Sequence, residues 1–173
     1  MIKQAAGPGT VVSYALDPDI PPCIVDRAQF DAAIINLVMN AAQSMKSGNI
    51  SIATQPVSVR DRHDHGLKPG HYVAVRVTDS GCGIAPAELK RVFEPFYTTK
   101  NTGTGLGLAQ VYAFMHNIDG DARIASRINA GTTVELLFPC QEPRLEAGAA
   151  ANRFVRRDLS DTIESAQPQM TGP

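Results

Sequence analysis

The 173-residue chain is 43% hydrophobic and carries 16 Lys and Arg against 17 Asp and Glu, a net charge of −1. That apolar share suits one globular domain with a real core plus some extra chain, and the charge balance supplies no global field toward nucleic acid or an anionic membrane. No apolar run approaches the roughly 20 residues of a membrane span, and the opening Met1–Gly7 lacks the apolar core of a signal peptide. Cys23, Cys82 and Cys140 are odd in number and form no C-x-x-C pair, so they read as free thiols of a reducing cytosol rather than a disulfide framework or a zinc site.

In chain order, Thr10–Leu16 alternates and is β-branched early, which predicts an opening strand. Asp17-Pro18-Asp19 and Pro21-Pro22 then break the chain. Asp26 is placed to cap a helix from Arg27 to Met45, in which Phe30, Ile34, Leu37, Ala41 and Met45 recur at helical spacing, with Gly48-Asn49 as its end. Ile50–Arg60 and His71–Thr78 read as two strands joined by a polar hairpin loop, Asp61–Gly70. Pro86–Val92 is expected to make one or two helical turns, with Pro86 in the first. Glu94–Thr104 reads as a loop and Gly105–His116 as a helix of small and apolar residues. Arg123–Ser126 and Thr132–Phe138 close as strands, joined through Asn129-Ala130-Gly131. After Pro139 the composition shifts. Residues 1–140 are therefore expected to form one domain, and residues 141–173 a linker or disordered tail with a weak helix over Arg153–Ala166. Interspersed strands, hairpins and helices predict an α/β fold: a two-layer sandwich with a mixed, mostly antiparallel sheet and helices on one face.

Three segments carry chemistry. Asn36 and Asn40 share a helix face, with Gln43 beside them, although Asn is a poor helix former. Their amide oxygens are hard donors suited to Mg²⁺, or else they are solvated and bond the backbone locally. Asp79 ends a strand just before Gly81 and Gly83. It is either the acceptor for an adenine amino group, with the chain close to the base, or an ordinary Asp-Ser-Gly turn. Gly103-Thr104-Gly105-Leu106-Gly107 opens a helix whose N–H groups attract phosphate, or it is a flexible loop. It is neither a P-loop nor a dinucleotide fingerprint, and no H-R-D or D-F-G occurs.

Taken in order, these segments resemble one family. Asn36-Leu37-Val38-Met39-Asn40-Ala41 resembles the N box of sensor histidine kinases, and Asp79-Ser80-Gly81-Cys82-Gly83-Ile84 their G1 box. Phe93-Glu94-Pro95-Phe96-Tyr97-Thr98-Thr99-Lys100 is similar to the F box, and Gly103-Thr104-Gly105-Leu106-Gly107-Leu108-Ala109 to the G2 box. Gly131-Thr132-Thr133 resembles the closing Gly-Thr motif, so the resemblance covers roughly residues 8–140. It implies the Bergerat ATP-binding fold shared with gyrase, the mismatch-repair ATPases and a heat-shock chaperone, with ATP and Mg²⁺ as cofactors.

Residue by residue, the resemblance implies that Asn40 holds Mg²⁺ on the ATP phosphates, with Asn36 helping. Asp79 would take the adenine amino group, Gly81, Gly83 and Ile84 would lie along the base, and Thr132 would support Asp79. Phe93–Asn101 would be a mobile lid, with Lys100 at its phosphate end or solvated there. Gly103, Thr104, Gly105, Leu106, Gly107 and Leu108 would hinge the lid and offer N–H groups to phosphate.

ATP-hydrolysing relatives carry a general-base Glu one helical turn before the metal Asn. Asn36 stands there, and an amide cannot take a proton at neutral pH. The resemblance therefore implies phosphoryl transfer to a histidine on a helical dimerisation and phosphoacceptor domain, with a response-regulator receiver downstream, in the cytoplasm and without nucleic acid or membrane contact. A stand-alone ATP-dependent interaction module is the alternative, and an ATPase of the same fold a further one. His63, His65, His71 and His116 sit in no phosphoacceptor motif. His63 and His65 read as a solvated loop, and His116 as a cap or packing residue. Ile118-Asp119-Gly120 stands where the family commonly has two glycines.

Overall fold

The alternating pattern of Thr10–Leu16 makes β1, every second residue turned toward the interior. It is the first strand of a computed structural model that describes residues 1–60, 67–100 and 103–140. The expected linker and helix after residue 140, together with His63 and His65, lie outside the described residues. β1 pairs in parallel with β2 (Gly48–Val59), Thr10 opposite Gly48 and Leu16 opposite Thr54. A parallel pair needs a long crossover, and α2 (Arg27–Gln43) supplies it. β3 (Gly70–Asp79), β4 (Asp121–Ser126) and β5 (Thr132–Pro139) complete an open five-stranded sheet of order β1-β2-β3-β5-β4, antiparallel after the first pair. The mixed, mostly antiparallel sheet expected from the sequence is the one observed.

One face of the sheet presents Ile50, Ile52, Val73, Val75, Val77, Leu136 and Phe138 to the helices. α2 meets it with Phe30, Ile34, Leu37 and Ala41, and α4 (Gly107–Asn117) with Val111, Phe114 and Met115. Phe138 joins the two helices, its ring centroid 5.6 Å from Phe30 and 6.2 Å from Phe114. Each such side chain contributes roughly 1.5–3 kcal/mol on burial. Among the described residues the other face carries a small cluster of Val59, Leu67, Tyr72, Ala74 and Leu137.

Several element ends differ from expectation, each for a local reason. A short α1 (Ile2–Ala6) precedes β1. Five residues are too few for a stable isolated helix, and burial of Ile2 and Ala6 in the core holds it. α2 begins as expected, with Asp26 Oδ1 accepting from the Gln29 N–H at 2.9 Å. It stops at Gln43 rather than Met45, with Ser44 as its C-cap. Gly48 and Asn49 do not end the helix; they start β2, because the ladder to β1 pairs them with Thr10 and Val11. The helical segment at Pro86 makes one turn, α3 (Pro86–Leu89), and ends before Val92, with the Glu88 carboxylate reaching back to the Ala85 N–H.

α4 starts at Gly107, two residues later than expected, because Gly105 holds φ +68°, outside the right-handed helical region. At its other end the Gly120 N–H reaches the Met115 carbonyl at 2.9 Å and the Asp119 N–H the His116 carbonyl at 3.3 Å. This is a Schellman closure with Asp119 in the left-handed position (φ 57°), so the turn forms without a second glycine.

Candidate functional site

Strand β3 runs out at Asp79 beneath the C-terminal end of α2, and the start of α4 abuts the same face of α2. The cleft between them has a volume of about 690 Å³. It is lined by Asn36, Asn40, Asp79, Gly83, Ile84, Lys100, Gly103, Thr104, Gly105, Leu106, Gly107, Leu108 and Thr132. Every site residue expected from the sequence therefore reaches one cavity, except Gly81.

Gly81 acts beneath the wall. Its N–H donates to Asp79 Oδ1 at 2.8 Å, the Ser44 hydroxyl lies 3.1 Å from the same oxygen, and the Thr132 N–H donates to it at 3.3 Å. A Cβ at Gly81 would sit 2.7 Å from Ser44 Cβ and 2.9 Å from Asp79 Oδ1, so only glycine permits this approach. The Gly81 and Thr132 N–H groups converge on Oδ1, the Ser44 hydroxyl beside them has one proton to share between that oxygen and the Ala41 carbonyl at 2.7 Å, and among the described residues Oδ2 accepts no hydrogen bond. The carboxylate is buried, 8% exposed, yet borders the cleft, so Oδ2 is its free acceptor. β3 and β5 place Asp79 opposite Thr132 in the ladder, which is how residues so distant in sequence share one oxygen. The Thr132 hydroxyl lies 2.9 Å from that of Ser126, which accepts from the Ile84 N–H at 2.8 Å and donates to the Gly131 carbonyl at 2.9 Å. That hydroxyl joins the wall after Asp79 to the β4–β5 turn.

The opposite end of the cleft is polar and cationic. Gly107 opens α4 directly against the asparagine pair: a Cβ there would lie 3.6 Å from Asn40 Nδ2 and 3.8 Å from Asn36 Oδ1. No side chain caps α4 at Leu106 among the described residues, so its first-turn N–H groups face the cleft with their partial positive charge unanswered. The Lys100 ammonium crosses to α2, donating to Gln43 Oε1 at 3.0 Å and to the Asn40 carbonyl at 3.4 Å. Burial pushes Lys100 below the ordinary lysine range, partly offset by the nearby Cys82 and Asp79. Between the two ends the lining is apolar: Leu37, Ala41, Val77, Ile124 and Val134.

The apolar lining is of the kind that takes a planar ring, Asp79 Oδ2 is an acceptor beside it, and α4, Lys100 and the asparagines are of the kind that take an anion. The described residues contain no cluster of three His, Cys, Asp or Glu side chains able to hold a metal. The amides of Asn36 and Asn40 nevertheless suit a Mg²⁺ ion that takes its other ligands from phosphate and water.

Sequence reasoning passed over Ser44 and Ser126. Ser44 lies four residues after Asn40 on the same helix face, a spacing that could have flagged it. Ser126 left no sequence signal. Neither described histidine approaches the site: exposed His71 lies with Nδ1 3.2 Å from the Ser58 hydroxyl, and exposed His116 stacks on the Tyr112 ring at 6.2 Å.

Residues 25–142 match the family described as histidine kinase-, DNA gyrase B- and HSP90-like ATPase. Sensor kinase CckA of Brucella abortus is 35% identical over 127 residues, covering 70% of this chain and 13% of that protein. Signal transduction histidine-protein kinase AtoS of Escherichia coli is 33% identical over 142 residues, covering 80% of this chain and 22% of that protein. The chain thus spans less than a quarter of the length of either relative. Among solved structures, the nucleotide-free catalytic domain of histidine kinase ThkA superposes with a TM-score of 0.62 at 26% identity, over 80% of this chain and 82% of that one. A mycobacterial sensor histidine kinase, MprB, gives 0.59 at 25% identity over 76% of this chain and 82% of that one. With the fold, the motif order and these relatives in agreement, the chain belongs to the histidine kinase-, DNA gyrase B- and HSP90-like ATPase family, on its histidine-kinase side.

Proposed function

We propose that residues 1–140 bind ATP with Mg²⁺ and serve as the catalytic domain of a sensor histidine kinase, with residues 141–173 as a linker or tail. Asp79 carries the reading: the Gly81 and Thr132 N–H groups, with the Ser44 hydroxyl beside them, hold Oδ1 and leave Oδ2 as the free acceptor bordering the cleft. That arrangement matches an adenine amino group and no phosphate. Gly83 and Ile84 border the base, with Gly81 and Thr132 aiming the carboxylate. Gly103 to Leu108 and the uncapped start of α4 receive the phosphates, and Lys100 leaves Gln43 to meet them. Asn40, with Asn36 beside it, holds the metal ion, which neutralises phosphate charge when bound.

The reaction is transfer of the γ-phosphoryl group to a histidine nitrogen on a separate helical dimerisation domain, ADP leaving as the new N–P bond forms. Such transfer depends on positioning and charge neutralisation more than on covalent chemistry by the domain itself. Asn36 supplies no general base, so water is a poor competitor for the phosphoryl group. The phosphorylated histidine then passes the group to a receiver domain of a response regulator. On this reading the domain works in the cytoplasm, where ATP is supplied; no described helix is long and apolar enough to cross a membrane.

The test incubates the chain with γ-labelled ATP and Mg²⁺, with and without a histidine-kinase helical phosphoacceptor domain, alongside a direct binding measurement. Label on the acceptor histidine is expected. Binding without transfer to any acceptor refutes the kinase and leaves an ATP-dependent interaction module; absence of binding refutes both.

A further inference from the structure

Cys23 and Cys140 are 117 positions apart, yet their sulfurs lie 3.2 Å from each other. They face one another across an isolated antiparallel bridge between the segment before α2 and the residue after β5. Directly opposed residues of an antiparallel pair have Cα atoms about 4.5–5.5 Å apart, inside the range of about 4.4–6.8 Å that a disulfide spans. The backbone on both sides is held: the Cys140 N–H donates to the His71 carbonyl at 2.8 Å, and Pro21-Pro22 restrict the chain before Cys23. Both cysteines are free thiols, and no metal-binding group of three includes them among the described residues.

We propose that Cys23 and Cys140 are a modification site, a dithiol that a low-molecular-weight disulfide such as oxidised glutathione converts to an intrachain disulfide joining the entry of α2 to the end of β5. The two thiols have different parts. Cys140 is partly exposed, whereas Cys23 is 1% exposed. Their hydrogen bond lowers the Cys140 thiol and, with burial, raises that of Cys23. Cys140 therefore attacks first: its thiolate bonds to one glutathione sulfur and the other leaves as glutathione thiolate. The Cys23 thiol then gives its proton to solvent and its sulfur attacks Cys140, expelling the second glutathione. Two protein thiols are oxidised and one glutathione disulfide is reduced to two thiols.

The bond would sit away from the nucleotide cleft. β3 and β5 pair Asp79 with Thr132 at the cleft end and Tyr72 with Pro139 at the cysteine end. The 8 residues of β5 separate the two ends by roughly 24 Å. Every residue assigned to the cleft, from Asn36 to Thr132, lies within the loop the bond closes. Oxidation thus constrains the unfolded chain without occupying the site, and a loop of this length predicts a rise in Tm of about 5–15 °C.

The experiment equilibrates the full chain with reduced or oxidised glutathione, quenches with acid, alkylates, and maps peptides by mass spectrometry beside a thermal melt. Exposed Cys82, which has no thiol neighbour, is the internal reference. Expected are joint loss of alkylation at Cys23 and Cys140, a Cys23–Cys140 linked peptide, the higher Tm and, in the unalkylated Cys82→Ser variant, an intact mass lighter by two hydrogens. The Cys82→Ser variant should show the same link, and Cys140→Ser none. Cys23 and Cys140 remaining alkylatable in oxidised glutathione, or links formed through Cys82 or between chains, would overturn the proposal.

Discussion

Replacing Asp79 by Asn probes the nucleotide assignment at one atom. Oδ1 accepts from Ser44, Gly81 and Thr132, and Oδ2 is left for the ligand. An asparagine keeping those donors must place its oxygen at the Oδ1 position, and its NH₂ then faces the adenine amino group, donor against donor. The lost hydrogen bond to a charged acceptor is worth about 1.5–3 kcal/mol, or roughly 10- to 150-fold in Kd, and the opposed donors add to it. The flipped asparagine would instead oppose the Gly81 and Thr132 N–H groups and lower Tm. Calorimetric titration with ATP, with a melt of the unliganded variant, separates the two cases. A purine nucleoside triphosphate without the amino group completes a double cycle: it should bind the unmodified chain more weakly than ATP and lose little further in Asp79→Asn. ATP affinity within about threefold of the unmodified chain, with the fold intact, would refute the assignment.

Three other outcomes are expected. With Asn36 in place of a general base, the chain alone should release little inorganic phosphate from ATP, measured by a coupled phosphate assay; sustained multiple turnover would contradict that reasoning. Lys100, lowered by burial, loses its proton at a less alkaline pH than a free lysine, and between the two values the unfolded chain holds more protons, so stability without nucleotide rises with pH there. Bound phosphate favours the ammonium, so ATP affinity should fall as pH rises through that alkaline window. Lys100→Met should weaken ATP binding about tenfold at neutral pH and flatten the profile; an unchanged slope in the variant argues that another group titrates. Asp26→Ala removes the cap on Gln29 and should cost about 1 kcal/mol, seen as a Tm lower by about 2–5 °C; no shift would mean that the cap is replaced by water.

Much of the fold was legible because its signals are local. Alternation located β1 at Thr10–Leu16, and Asp26 announced the start of α2. Gly48-Asn49 misled because the same dipeptide suits a helix end and a strand start, and only pairing with β1 decides between them. α1 carried no periodicity strong enough to notice, since burial against the core and not propensity holds it. The start of α4 depended on the φ of Gly105, a backbone value that glycine permits but does not announce.

For the site, the sequence by itself determined which residue types are available and in what order: the asparagine pair on one helix face, Asp79 at a strand end, and glycines before a helix. These are chemical identities at short spacing, and short spacing is what periodicity can read. Tertiary structure alone decided that Oδ1 of Asp79 is saturated by groups from α2, the turn after β3, and β5, leaving one oxygen for a ligand. It alone tied Ser126 into the wall and set Cys23 against Cys140, two thiols that looked scattered along the chain. Such contacts arise from strand order and register, which are settled by burial of the whole sheet and leave no mark in any one segment.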